Sequence, residues 1–503
     1  MNTSPWPPPH PVLDAPYRGS QPPTAGMPQR SASGPERPEQ SRRTRWLVAL
    51  TAISVVVAIA GGVVAYRFVL DQRYPNNWDP RIAPLAAYVE RTTGLTFEHP
   101  VYVRFLADDD FNALIMDPSE GQSDAERTAI ENEEALGRSF GWYTGSTDIA
   151  DEQETVYGIG VLALYDFADR EVVVRSNDTN PAVLPIPLRV TIVHELFHAL
   201  QDQRLDIRAL RRLVDTSEAE RSFTALIEGH AVSVETAYLY SLSSDEQEEY
   251  FDFVDGLTSD IDDKTANTAP VLSVNLEAPY VLGPALVSAA RQDDNGVDQL
   301  YAKPPVAQDQ VLDPRAYFSD DRPETTAEPE AAGEILEKGT VGVVRLYLTL
   351  ASVLPAADAW EAALTWGNDA YVLYRPADGG TACVAWNVSA DTAASAAVLR
   401  AALERWVDAR PAEGRASVRA TDPVISVNVC DPGSSVTQTL VPEDAVDYFY
   451  VRASLLAALI RQTPDLSTAW CATDTLMRSE TLDALQEPDD ALRDRIAAVV
   501  ERC

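Results

Sequence analysis

The chain has 503 residues and a formal charge of −37, from 40 Lys and Arg against 77 Asp and Glu. That length suggests two to four structural units, and 45% hydrophobic residues exclude wholesale disorder. The acidity argues against a nucleic-acid partner, which needs a basic face to neutralise phosphates, and against an anionic lipid surface.

The charge is unevenly spread. Residues 1–45 carry six Arg against Asp14, Glu36 and Glu39, and contain 11 Pro, so a disordered tail of polyproline character is expected, on the cytoplasmic side. Trp46 to Tyr66 is a run of 21 residues without a charge, preceded by Arg42, Arg43 and Arg45. Its length matches a bilayer core, and the preceding arginines place the N-terminus inside. Residues 46–70 are therefore expected to form a single transmembrane anchor in the plasma membrane. A cleaved secretory signal is the competing reading, although no small-x-small site follows. Beyond residue 70 the chain holds 33 basic and 74 acidic residues, all expected to lie outside the cytoplasm.

The outer part reads as α+β. A helix is expected over Asp79–Gly94, a strand over Pro100–Leu106 and an acidic helical stretch to about Leu136. Val161–Asp166 and Glu171–Arg175 read as a hairpin. Pro181, Pro185 and Pro187 punctuate a loop before a helix from about Leu188 to Arg204. A second helix is expected from about Ser217 to Leu242, followed by a strongly acidic segment. Ser319–Gly333 reads as a linker, dividing a domain over 71–335 from a smaller α+β domain over 336–503. In the latter, helices are expected at Thr340–Leu354, Ala357–Leu364 and Ala390–Asp408. Strands are expected near Ala370–Arg375, Ala382–Val388, Ala416–Ala420 and Val424–Val429, with two or three helices at the end. All four Cys lie beyond the anchor, which suggests two disulfides. Of three possible connectivities the favoured one joins sequence neighbours, Cys383–Cys430 and Cys471–Cys503.

The first long helix contains Thr191-Ile-Val-His194-Glu195-Leu-Phe-His198-Ala-Leu-Gln-Asp202, an H-E-x-x-H pattern. Residues i and i+4 share one helical face, so both imidazoles can address one ion, while Glu195 can take a proton from water activated there. With only five His in the chain, a chance match is on the order of one in a thousand. Gln201 and Arg204 occupy the Gly and third-His positions of the longer H-E-x-x-H-x-x-G-x-x-H form and exclude it. The third ligand is expected from the next helix, in Ala225-Leu-Ile-Glu228-Gly229-His230. Glu228 and His230 are about 200° apart on a helix, so only one can face the ion. Glu228 is preferred as completing the His₂Glu set of catalytic zinc sites. Gly229 is expected to let this helix approach the first closely. Asp202 and Glu235 are candidates to orient an imidazole. His230, Tyr238 and Tyr280 are candidate donors to a developing oxyanion. The 161–175 hairpin is a candidate edge for binding extended peptide by strand addition.

These segments resemble zincin metallopeptidases of the gluzincin type. More narrowly, they are similar to a prokaryotic group with the pattern HE-x-x-HALQDQ … AL-x-EG-x-A. That group often continues with PP-x-STEQ-x-L-x-P, to which Pro304–Pro314 is similar with three departures, and with a GWGGD turn echoed by Thr365-Trp-Gly-Asn-Asp369. The resemblance spans roughly residues 80–375. It implies a zincin-like domain with Zn²⁺ on His194, His198 and Glu228, Glu195 as general base, and hydrolysis of a peptide or protein substrate. His230 stands where the group often has Asp. The alternative is a cell-envelope binding or scaffold protein that keeps the fold without turnover.

Overall fold

The computed structural model describes residues 74–503, except 117–123, 148, 150, 151, 153, 154, 156–160, 215, 266, 267, 321–324, 378, 422, 423 and 487. The tail over 1–45 and the anchor over 46–70 lie outside the described residues.

The chain is α+β, as expected. Helix α1 (Ala83–Thr93) leads into β1 (Tyr102–Leu106), α2 (Asp108–Met116) and α3 (Asp124–Phe140). Strands β2 (Ala163–Asp166) and β3 (Glu171–Arg175) form the expected hairpin. β3 pairs with β1 in parallel, so the sheet order is β1-β3-β2 with β2 at one edge. Alternation sends Val172 and Val174 to one side and Val173 to the other, and both sides are buried.

Helix α4 (Ile186–Leu205) packs on this sheet. Pro187 sits in its first turn, where the missing N–H is harmless, and Asp206 ends it in the left-handed region at φ 47°. Helix α5 (Ile207–Arg211) is a short continuation. Helix α6 (Ser217–Ser241) is capped by the Thr216 side chain, which accepts from the Ala219 N–H, and carries Glu218 and Glu220 in its first turn. The acidic segment after it is helix α7 (Ser244–Thr265).

Helix α8 (Pro270–Gln292) has no counterpart in the sequence reading, because Pro279 and Pro284 lie inside it. It is apolar and long enough to cross a membrane, but 67% of its most apolar window is buried inside the protein. Short helices α9 (Asp298–Ala302), α10 (Asp309–Leu312) and α11 (Pro314–Phe318) follow.

The C-terminal part is built on an antiparallel sheet of order β4-β5-β6-β8-β7. Its strands are β4 (Gly333–Gly339), β5 (Trp366–Pro376), β6 (Cys383–Ala390), β7 (Ser417–Thr421) and β8 (Val424–Cys430). Between β4 and β5 lie α12 (Val343–Ala351) and α13 (Ala356–Ala363). Helix α14 (Ala393–Asp408) links β6 to β7, and α15 (Glu443–Ile460), α16 (Leu466–Ser479), α17 (Leu482–Gln486) and α18 (Asp490–Val500) end the chain. Strand β4 escaped the sequence reading: it is a mostly exposed edge bounded by glycines. Cys383 and Cys430 are register partners on β6 and β8 and form a disulfide, as do Cys471 and Cys503. Both pairings are the favoured ones.

The two cores do not divide at residue 335. One cluster combines α1, α4, the three-stranded sheet and the C-terminal half of α6, through Ala231, Val234, Tyr238 and Leu239. The larger runs from the N-terminal half of α6, through Phe223, Ala225, Leu226 and Ile227, across α8 into the five-stranded sheet. The expected boundary at 335/336 falls inside β4.

Gly229 makes the expected close approach, but to α8 and not to α4. A Cβ at Gly229 would overlap the backbone of Gly283, and one at Gly283 would overlap the carbonyl oxygen of Ala225. Replacing either by Ala should cost about 3 kcal/mol, the upper range for overpacking. Gly256 on α7 has open space around it, and its Ala variant should be at least as stable as the parent. Urea unfolding midpoints check both outcomes.

Candidate metal centre

The regular repeat of α4 puts the His194 and His198 rings on one face, with centroids 4.7 Å apart. Glu228 on α6 faces them at the point where that helix passes from one core to the other. The His194 and His198 Nε2 atoms are 3.0 Å apart, and lie 3.3 and 3.0 Å from Glu228 Oε2. All three side chains are at most 2% exposed. Two imidazole nitrogens and a carboxylate oxygen aimed at one point form a set that can hold a metal ion.

Each imidazole is fixed through its other nitrogen. His194 Nδ1 donates to Glu235 Oε2 at 3.0 Å, so Glu235 orients an imidazole as expected. His198 Nδ1 donates to Gln201 Oε1 at 2.8 Å. Asp202, expected in such a role, does not touch a histidine. It accepts from the Tyr165 hydroxyl at 3.1 Å and pairs with Arg208 and Arg170, tying β2 to α4. Both positions follow His198 by one helical turn, and Nδ1 meets i+3 rather than i+4. Gln201 was legible only as a departure from the longer motif, although its spacing put it on the correct face.

His230 is turned away from the cluster, as two residues of helix require. Its Nδ1 lies 2.8 Å from the Tyr301 hydroxyl and its ring packs edge-on against Phe197. Burial holds its pKa well below the ordinary histidine value. It faces Tyr301 and Phe197, not the His194–His198–Glu228 cluster. Tyr238 packs against Tyr88. Tyr280 on α8 is the candidate brought to the site: its ring stacks near His194 with centroids 6.2 Å apart.

Glu195 is fully buried, and neither carboxylate oxygen has a hydrogen-bond partner. Burial pushes its pKa up to about 7, against the pull of His194 and His198. Such a group is poised to exchange a proton near neutrality. Glu228 behaves oppositely: burial alone would raise it, but the two histidines hold it at about 2. Burial opposes charging of His194, yet Glu228, Glu235 and Glu195 together lift it to about 10. The orphaned oxygens of Glu195 and this donor set both suit a divalent ion with a water beside it.

The outer edge of β2 is covered by α4, and the Tyr165 backbone N–H faces the Glu195 carboxylate. Arg175 N–H donates to Leu162 O at 2.8 Å, which sets the antiparallel phase so that Leu164 is bonded to Val173. The N–H and C=O groups of Ala163 and Tyr165 therefore point away from β3. Among the described residues no strand pairs with that edge.

A family model described as a domain of unknown function (DUF8575) matches residues 332–454, from the five-stranded sheet into α15. No curated protein and no solved structure matches the chain.

Because His194 is protonated up to about pH 10 without metal, an ion must displace that proton to bind. Affinity should therefore rise about tenfold per pH unit between pH 6.5 and 9. Chelator competition at several pH values measures the slope, and a flat profile would show that no proton is displaced.

Proposed function

We propose that the protein is a zinc-dependent peptidase of zincin type, with its catalytic part outside the cytoplasm. The observation that carries the reading is the unpartnered, fully buried Glu195 beside a His194–His198–Glu228 cluster. His194, His198 and Glu228 would hold the ion, and Glu235 and Gln201 keep both imidazoles turned toward it. A bound zinc ion supplies Lewis acidity, polarising a carbonyl and making water a better nucleophile at neutral pH. Glu195 takes the proton of the attacking water and returns it to the leaving amine, for which a pKa near 7 is well matched. Strand β2, the edge strand beside α4, would align an extended peptide by strand addition. Tyr280, beside His194, is the donor best placed to face the oxyanion. The two disulfides favour an oxidising compartment, in keeping with the anchor expected from the sequence of 46–70.

Closure of the site favours a second reading, a metal-holding scaffold without turnover. His194, Glu195, His198 and Glu228 are all 0–2% exposed, and a substrate must reach them. Glu195→Gln separates the two. It should retain one zinc per chain and lose peptide hydrolysis by a factor of a thousand or more, a general-base loss of roughly 4 kcal/mol. Glu228→Ala should lose the zinc. Parent protein that binds zinc but cleaves no member of a diverse peptide library supports the scaffold.

The acidity beyond the anchor, 74 acidic against 33 basic residues, adds a specificity expectation. Basic or neutral peptides should be cleaved in preference to acidic ones, with the difference shrinking as salt rises. Initial rates on matched peptides of opposite charge, at low and high salt, test it.

A further inference from the structure

Gln201, Tyr301 and His230 come from three separate elements, and the function above does not use Tyr301 or His230. Gln201 is on α4, His230 on α6 and Tyr301 on α9. All three are at most 6% exposed. Their hydrogen bonds have a single self-consistent direction. The Gln201 amide nitrogen lies 3.2 Å from the Ile227 carbonyl oxygen, which can only accept. That contact requires the amide nitrogen on the Ile227 side, so Oε1 is the atom facing His198 Nδ1 at 2.8 Å, and Nδ1 must carry the hydrogen. The second amide hydrogen points to the Tyr301 oxygen at 2.8 Å. The Tyr301 hydroxyl is then free to donate to His230 Nδ1, also 2.8 Å away. With Nδ1 protonated, His198 presents its Nε2 lone pair to the cluster, the form a metal requires.

We propose that Gln201, Tyr301 and His230 form a relay that fixes the tautomer and orientation of His198, making Tyr301 and His230 positioning residues of the metal centre. This rests on the reading of His194, His198 and Glu228 as a metal site. The relay runs from the metal face of α4 into the larger core, since Tyr301 belongs to the cluster that includes α8 and the five-stranded sheet. Truncating any member strands a buried partner. Without its hydroxyl, Tyr301 no longer accepts from Gln201; the shorter of the two contacts that hold the amide nitrogen is lost, and the amide can rotate and offer His198 a donor in place of an acceptor.

The test uses the full chain and two readouts independent of hydrolysis: zinc affinity by chelator competition, and the visible absorption of the cobalt-substituted protein. Tyr301→Phe keeps the ring and removes the hydroxyl. It should weaken zinc binding about tenfold to a hundredfold and shift the cobalt bands. Gln201→Glu keeps an acceptor for the Nδ1 hydrogen and should stay within a few-fold of the parent, whereas Gln201→Leu should fall with Tyr301→Phe. Both Gln201 variants lose the bond to Ile227, so a difference between them reports imidazole orientation and not packing. Should Tyr301→Phe fail to fold, His230→Phe, which removes the acceptor of the Tyr301 hydroxyl, takes its place and should weaken zinc binding in the same direction, unchanged affinity overturning the relay. Unchanged affinity and cobalt spectrum in Tyr301→Phe, or equal losses in the two Gln201 variants, overturns the relay and leaves the metal site standing. A parent chain that takes up neither zinc nor cobalt overturns the metal site, and the relay with it.

Discussion

A carboxylate with 2% exposure stays ionised only if positive charge faces it. Glu228 meets that condition through His194 and His198 alone, and much of the chain serves to keep these three together. The histidines are one helical turn apart on α4. Glu228 must come from a different helix, held at a fixed depth and rotation against them. Helix α6 achieves this by belonging to both cores: its first half is packed by the larger, its second by the smaller, and Glu228 lies at the crossing. The Gly229–Gly283 contact with α8 sets the depth, because no side chain intervenes between the backbones.

The C-terminal sheet contributes to the same end. The Asp369 carboxylate accepts from the N–H groups of Val341 and Gly342 and from the indoles of Trp366 and Trp386, at 2.7–3.1 Å. It therefore anchors the segment that leads into α12. Gly342 has φ 79° and lies against Glu218, leaving no room for a side chain. Arg221 donates to the carbonyls of Thr340 and Val341, and Glu218 accepts from the Gln308 N–H at 3.1 Å. The N-terminal turn of α6 is thus clamped by the region that the DUF8575 model matches. That region therefore packs against the helix that carries Glu228. The buried Arg138–Asp431 pair, at 3.0 Å, fastens α3 to the same sheet.

Much of the fold was legible because it rests on short-range patterns. The hairpin, α4, α6 and the strands β5 to β8 all lie within a few residues of their expected positions. What failed had local causes. Two prolines hid α8, and β4 lacks the alternation of a half-buried strand. Partners distant in sequence were missed for a different reason. Tyr301 is 71 residues from His230 and 100 from Gln201, so no periodicity connects them. The assignment of Asp202 failed by a single residue: i+3 and i+4 share a face, and only the ring's direction selects between them.

Residue type and helical spacing specify which side chains can meet on α4. His194, Glu195 and His198 are joined by helical spacing, and Glu228 stands out by its apolar helix. Those are consequences of covalent connection and of helical geometry, which act over a few residues. Tertiary structure alone decided which groups turn the imidazoles, that His230 points away, that Gly229 meets α8, and that one core spans residue 335. Each depends on contacts between segments far apart in the chain, whose distances are set only when both cores are packed.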